Sequence, residues 1–213
     1  MKSYYEISTT RFPSKYWHRE IVKAAKSMVK KHEISEPILD LGCGDGVRVR
    51  MIFGDSVEIH GVDINPEMVE SARERLDKVY LGSIEDPPPE ILNRLYGTIV
   101  LMETLEHVNN PERVLGVADK LLKEKGLLLV IIPLETTLFR IIWWLWTRSM
   151  GRRWRGAHLF KFKSEQQLFS ILEKRFKVVE HKKTNLGCIA ITICSKKENP
   201  KTRPTQDNTR VEG

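Results

Sequence analysis

Leu39-Asp40-Leu41-Gly42-Cys43-Gly44-Asp45-Gly46 runs an apolar strand straight into a glycine-rich turn, and Gly61-Val62-Asp63 ends a second strand on an acid. A strand, a sharp turn, a helix and a second strand whose last residue is acidic, about 20 residues on, make a βαβ unit suited to an adenosine-containing cofactor. The glycine spacing narrows the cofactor. Dinucleotide sites use G-x-G-x-x-G, with the third glycine under a helix whose N-terminus meets a pyrophosphate. Gly42, Gly44 and Gly46 give G-x-G-x-G instead, with Val47 where the dinucleotide pattern wants glycine. The tight turn and the close backbone approach remain, and the pyrophosphate feature does not. A phosphate-free, cationic sulfonium cofactor, S-adenosylmethionine, fits this pattern.

Ile38 to Gly44 resembles the first motif of the class I methyltransferases, and Gly61-Val62-Asp63-Ile64-Asn65-Pro66-Glu67-Met68-Val69-Glu70-Ser71-Ala72 resembles their second. Gly82-Ser83-Ile84-Glu85-Asp86 is similar to the adenine-contacting motif. Leu122-Lys123-Glu124-Lys125-Gly126-Leu127-Leu128-Leu129-Val130 is similar to the helix end, turn and fifth strand. The four motifs occur in family order over residues 36 to 132. The resemblance implies an α/β fold of three α/β/α layers: a doubly wound, Rossmann-like, seven-stranded and mostly parallel sheet whose last strand is antiparallel.

The local signals agree with that fold. Trp17, Ile21, Ala24, Ala25, Met28 and Val29 recur near helical spacing over 14–32, with Ser14 as a candidate cap after Pro13. Strands are expected over 37–41, 56–62, 78–81, 97–102, 127–132, 176–182 and 188–194. Asn65 followed by Pro66 and Glu67 is a helix start, a helix from Pro111 to Lys123 should stop at Gly126, and another runs from Ser164 to about Lys174. The organisation expected is a helical cap over 1–35 and a methyltransferase domain over 36–195 that carries an insertion over 136–163. A polar tail over 196–213, with Pro200, Pro204 and no apolar periodicity, reads as disordered. Length suits one such domain: 213 residues, 41% hydrophobic and 30% charged. Cys43, Cys188 and Cys194 have no disulfide spacing and read as reduced thiols, with Cys43 a small filler in the turn. The N-terminus lacks the apolar core of a secretory signal, and no long apolar run predicts a membrane span. A cytoplasmic location follows, with peripheral membrane association left open.

The resemblance implies roles for particular residues. Gly42, Gly44 and Gly46 approach the methionine end of the cofactor, Asp40 its amino group and Asp63 both ribose hydroxyls. Ile64 packs on the adenine, Ser83 and Ile84 flank its edge, and Met102 lines the pocket through its backbone. Beyond strand four, Glu103, Glu106 and His107 stand at i, i+3 and i+4 if the chain turns helically, sharing one face. Two carboxylates and an imidazole could hold Mg²⁺ or another divalent cation; the alternative is a cofactor-lining Glu103 followed by a structural turn. Met102 through Pro111 resembles the run in the O-methyltransferases of ubiquinone biosynthesis, with one extra residue before the proline. Glu-x-x-Glu-His with a later histidine also resembles the ribose 2′-O-methyltransferases of small-RNA 3′ ends. His158 is that later histidine, a base, fourth ligand or substrate contact, alongside His107 as the other catalytic candidate.

Residues 136–155 carry four of the five tryptophans, Trp143, Trp144, Trp146 and Trp154, among five arginines. A helix there would lie in a membrane interface, with contact through 138–155, cover a greasy substrate, or pack against the domain or a second copy. The expected activity is methyl transfer to a small-molecule or lipid-linked acceptor, by O-methylation. RNA, favoured by the net charge of +7, is the rival acceptor, and a non-catalytic cofactor-binding protein is the third class. Nothing in the sequence speaks to the oligomeric state.

Overall fold

The computed structural model describes residues 14–149 and 162–197. The chain alternates strand and helix: α1 (Ser14–Val29), β1 (Ile38–Leu41), α2 (Val47–Phe53), β2 (Ile59–Asp63), α3 (Pro66–Ala72), β3 (Lys78–Leu81), α4 (Pro89–Leu92) and β4 (Tyr96–Met102). It continues with α5 (Pro111–Leu121), β5 (Leu122–Pro133), α6 (Thr137–Ser149), α7 (Glu165–Leu172), β6 (Phe176–Thr184) and β7 (Ile189–Lys196). Seven strands form one sheet in the order β3-β2-β1-β4-β5-β7-β6, in which β7 pairs antiparallel with both neighbours and every other pairing is parallel. This is the expected Rossmann-like class I methyltransferase architecture.

The central strands β1, β4 and β7 are buried on both faces and read as nearly unbroken apolar runs, whereas the edge strands β3 and β6 stay partly exposed. Alternate residues serve different layers. Leu39, Leu41, Ile99, Leu101, Leu128 and Val130 pack with α5 and α7. Ile38, Val100, Met102, Leu129 and Ile131 pack with α1 and α2. Burying each such side chain completely contributes roughly 1.5–3 kcal/mol. The helix expected as a cap supplies Ile21, Ala25 and Met28 to the second core, so α1 is part of that layer.

Local chemistry sets several boundaries as expected. Asn65 accepts a hydrogen bond from the Glu67 N–H with Pro66 at the first helical position, and Ser164 accepts from the Gln167 N–H. One boundary differs. Helix α5 stops at Leu121, just short of the expected Lys123, and β5 begins at once at Leu122 instead of after a turn at Gly126. Leu122 is fully buried beside its partner Tyr96, and the register then slips before Thr98 meets Leu127, leaving Gly126 inside a bulge. Burial of Leu122 against the sheet outweighs the helical preference of Lys123-Glu124-Lys125.

The chain passes from β1 out to β2 and β3, then returns to place β4 on the other side of β1. The helices that follow β1 and β4 therefore lie on opposite faces of the sheet, and the crevice between these connections is where ligands bind in doubly wound sheets.

Candidate functional site

The turn after β1 lines one wall of this crevice. Gly42, Gly44 and Gly46 all have left-handed backbone angles, with φ of 83°, 54° and 73°, which cost little only for glycine. Two of them are also packed: a Cβ on Gly42 would lie 2.5 Å from Thr104 Cγ2, and one on Gly46 would lie 2.8 Å from Leu76. Gly44 is different, because a Cβ there would meet nothing within 4 Å. Its backbone faces open space.

Asp63 ends β2 and ties the turn in place. One carboxylate oxygen accepts from the Gly44 N–H at 2.8 Å and the other from the Asn65 N–H at 2.9 Å. A carboxylate has about four acceptor positions, so two bonds leave capacity for ligand hydroxyls. Ile64 follows with 73% of its surface exposed, an apolar side chain with no cover. Asp40 is buried in β1, and its Oδ1 has no hydrogen-bond partner among the described residues. Burial raises its carboxyl to about 7, against a lowering by Arg48. Ser83 accepts from the Glu85 N–H at 3.2 Å, while the side chains of Ile84 and Met102 belong to the two cores. An open glycine, an uncovered isoleucine and a buried acid with an unused oxygen suit a ligand with an adenosine and an ammonium group. Cys43 is buried, and burial, with Asp40 and Asp63 adding, pushes its thiol well up. It has the character of filler, not of a nucleophile.

The other wall starts at the end of β4. Glu103 still donates its N–H to Ile131 O, at 2.7 Å, as the sheet would, but its φ is 51°. That left-handed angle in a residue with a side chain marks strain at a site. Of the two readings, the shared helical face does not form and the structural turn does. A 3₁₀ turn over Leu105–His107 puts Glu106 inside, 2% exposed, and His107 outside. Glu106 Oε2 has no hydrogen-bond partner among the described residues, and burial, with Glu103 adding, raises its carboxyl well above the ordinary range. Glu103 makes an ion pair and hydrogen bond with Arg48 Nη1. Burial alone would raise the Glu103 carboxyl; Arg48, with His18 and His107, outweighs it and holds the group low. No group of three or more histidine, cysteine, aspartate or glutamate side chains among the described residues is placed to hold a metal ion. As arranged, Glu103, Glu106 and His107 do not fit a divalent cation, because one is taken by arginine, one faces inward and one outward. His158 lies outside the described residues.

Two residues that sequence reasoning passed over meet at this wall. Arg48 comes from α2 and His18 from α1; burial lowers the His18 imidazole, against Glu103, with Arg48 lowering it further. The arginine is 55 positions from its partner. Only the adjacency of β1 and β4 could have paired them, and the motif match did not extend past Gly46. His18 carried no signal beyond its place beside the apolar stripe of α1.

Helix α6 follows β5 at the same sheet edge. Phe139 packs on Trp17 of α1 with ring centroids 6.3 Å apart, and Trp143 stacks on Phe139 at 5.7 Å. Leu138, Ile141, Trp144 and Leu145 face outward, each 41–56% exposed, and the Arg148 guanidinium lies 4.1 Å from the Trp144 ring centroid. The basic residues 152–155 lie outside the described residues. No helix among the described residues is long and apolar enough to cross a membrane.

Comparison with known proteins agrees with this geometry. A family model described as a methyltransferase domain matches residues 12–181. The chain is similar to an uncharacterised methyltransferase of Schizosaccharomyces pombe, 26% identical over 130 residues, covering 54% of this chain and 50% of that protein. It is also similar to the ubiquinone biosynthesis O-methyltransferase of Vibrio atlanticus, 31% identical over 96 residues, covering 42% and 40%. The chain thus spans half or less of the length of these curated relatives. A crystal structure of a Thermotoga maritima methyltransferase, described as a possible histamine N-methyltransferase, shares the fold with a TM-score of 0.64 at 23% identity, over 86% of this chain and 94% of that one. With the glycine turn, the acid of β2 and the strand order on one side and the family match on the other, the chain belongs to the class I S-adenosylmethionine-dependent methyltransferases.

Proposed function

We propose that the chain methylates a hydroxyl of a small-molecule or lipid-linked acceptor. The observation that carries the acceptor class is α6: beside the crevice it turns an apolar, tryptophan-bearing face outward while its other face is anchored on α1. The distant likeness to ubiquinone biosynthesis O-methyltransferases supports oxygen as the nucleophile. When bound, S-adenosylmethionine supplies a methyl carbon already activated by its sulfonium. The chain then has to align the acceptor, exclude water and accept a proton. In this reading the backbone of Gly42, Gly44 and Gly46 takes the methionine end, Asp40 the ammonium, and Asp63 the ribose. Ile64 covers the adenine, whose edge meets the backbone of Ser83 and Ile84, with the Met102 backbone below. His107, exposed near Glu103, takes the acceptor's hydroxyl proton, with His158 its alternative. The outer face of α6 rests on an anionic bilayer, tryptophan at the headgroup level and arginine on phosphate.

Calorimetric titration with S-adenosylhomocysteine tests the cofactor site, and labelled methyl transfer to a catechol probe and to a short RNA tests the acceptor. Transfer to the catechol is the expected result. Transfer only to RNA, with binding that weakens steeply in salt, would favour ribose methylation, the reading that the +7 charge supports. Tight binding without turnover on either would point to a non-catalytic protein.

A further inference from the structure

We infer that Arg48 is the resident cation of the acceptor wall: its guanidinium occupies Glu103, and methyl transfer by this chain needs no divalent metal despite the metal-like spacing of Glu103, Glu106 and His107. The inference deepens the proposed reading and rests on it for the location of the acceptor.

The argument is one of competition for a carboxylate. A divalent cation in a protein site takes several oxygen ligands at roughly 2.0–2.6 Å, carboxylates first among them. The Arg48 and Glu103 side chains are only 20% and 18% exposed and already bonded to one another, so solvent screens the pair weakly. A metal on Glu103 would have to displace the guanidinium or stand beside it, positive against positive. Neither other member of the run offers compensation, since Glu106 faces the interior and His107 the outside. Arg48 also acts on both walls, favouring the ionised carboxyl of Asp40 and opposing a charged imidazole at His18. An arginine stays charged at every pH a protein survives and, being part of the chain, does not dissociate as a bound ion does. It can supply a fixed positive field where an acceptor hydroxyl becomes an oxyanion, which is part of what a metal would do.

The test is a Mn²⁺ titration by calorimetry of the wild type, Glu103→Gln, Arg48→Met and the double variant, each also titrated with S-adenosylhomocysteine. The wild type and Glu103→Gln should be indistinguishable toward Mn²⁺. Arg48→Met frees the Glu103 carboxylate but turns neither Glu106 nor His107 toward it, so it should gain no more than weak Mn²⁺ binding, which the double variant should lose. One Mn²⁺ per wild-type chain that Glu103→Gln removes would overturn the inference. Should Arg48→Met fail to fold, the wild type against Glu103→Gln still decides. Wild type that binds no S-adenosylhomocysteine would defeat the methyltransferase reading itself. Wild type that binds it and also holds Mn²⁺ through Glu103 would defeat only the role given to Arg48.

Discussion

The two walls of the crevice are built by different means. The wall after β1 draws on residues 40 to 64, close together in the chain, and works mostly through backbone: three left-handed glycines and one carboxylate that holds their turn. The wall after β4 draws on His18, Arg48 and Glu103, which come from three elements and meet through side-chain charge. A contiguous backbone device tolerates little change and carries a pattern. A side-chain cluster assembled by the fold can be rebuilt from other residues, and this chain has an arginine where the motif alone suggested a metal.

The largest expected effect would break both walls together. Gly42→Val places a side chain against Thr104 at 2.5 Å and in a left-handed conformation. It should cost roughly 2–4 kcal/mol of stability in a denaturant titration. Gly44→Ala, with nothing within 4 Å, should cost only about 1 kcal/mol yet weaken S-adenosylhomocysteine binding. Equal stability losses in the two variants would erase the distinction between a packed glycine and one that faces a ligand.

Asp63→Ala comes next. It removes the acceptor for the Gly44 and Asn65 N–H groups and should lower S-adenosylhomocysteine affinity about 100-fold, as the loss of hydrogen bonds to a charged group does. Unchanged affinity in calorimetry would remove Asp63 from the site.

Asp40 gives a pH signature. Burial raises its carboxyl from 3.8 to about 7. A group raised in the folded state contributes stability that is complete below its ordinary value and lost as pH rises through the folded one. The Asp40 contribution to stability should therefore fall between about pH 4 and 7, alongside that of the likewise raised Glu106, and Asp40→Asn should remove its own share of the fall in thermal melts. An ammonium-bearing ligand favours the ionised carboxyl, so S-adenosylhomocysteine should bind wild type more tightly above pH 7 than below it and lose that slope in the variant. A slope that survives Asp40→Asn would assign it to another group.

The smallest effect on folding is expected on α6. Trp144→Ser with Leu145→Ser alters an outward face and should change stability by no more than about 0.5 kcal/mol per site. Co-sedimentation with phosphatidylglycerol vesicles should nevertheless be lost. Retained sedimentation would detach α6 from the bilayer.

The sheet could be read in advance because its signals are local and agree with one another: apolar runs of strand length, Asn65-Pro66 and Ser164 at helix starts, and an acid after the second strand. The failure at Gly126 has a plain cause. Lys123 reads as the helix end and Gly126 as its stop before the strand, whereas the buried partnership of Leu122 with Tyr96, which starts the strand early, is visible only once β4 and β5 are adjacent. Between the two readings of Glu103 to His107, the structure takes the structural turn. Helical spacing assumed one backbone conformation, and the left-handed angle at Glu103 followed by a 3₁₀ turn sends the three side chains in different directions.

The order of short-range signals along the chain was sufficient to specify a doubly wound sheet with an adenosine-binding turn after its first strand, because glycine angles, caps and apolar periodicity act over a few residues. The state of the buried charges was set elsewhere. Whether Glu103 holds a metal or an arginine, whether Glu106 is ionised, and which face of α6 meets the outside depend on what the packed strands and helices bring within a few ångströms, where water no longer screens one charge from another.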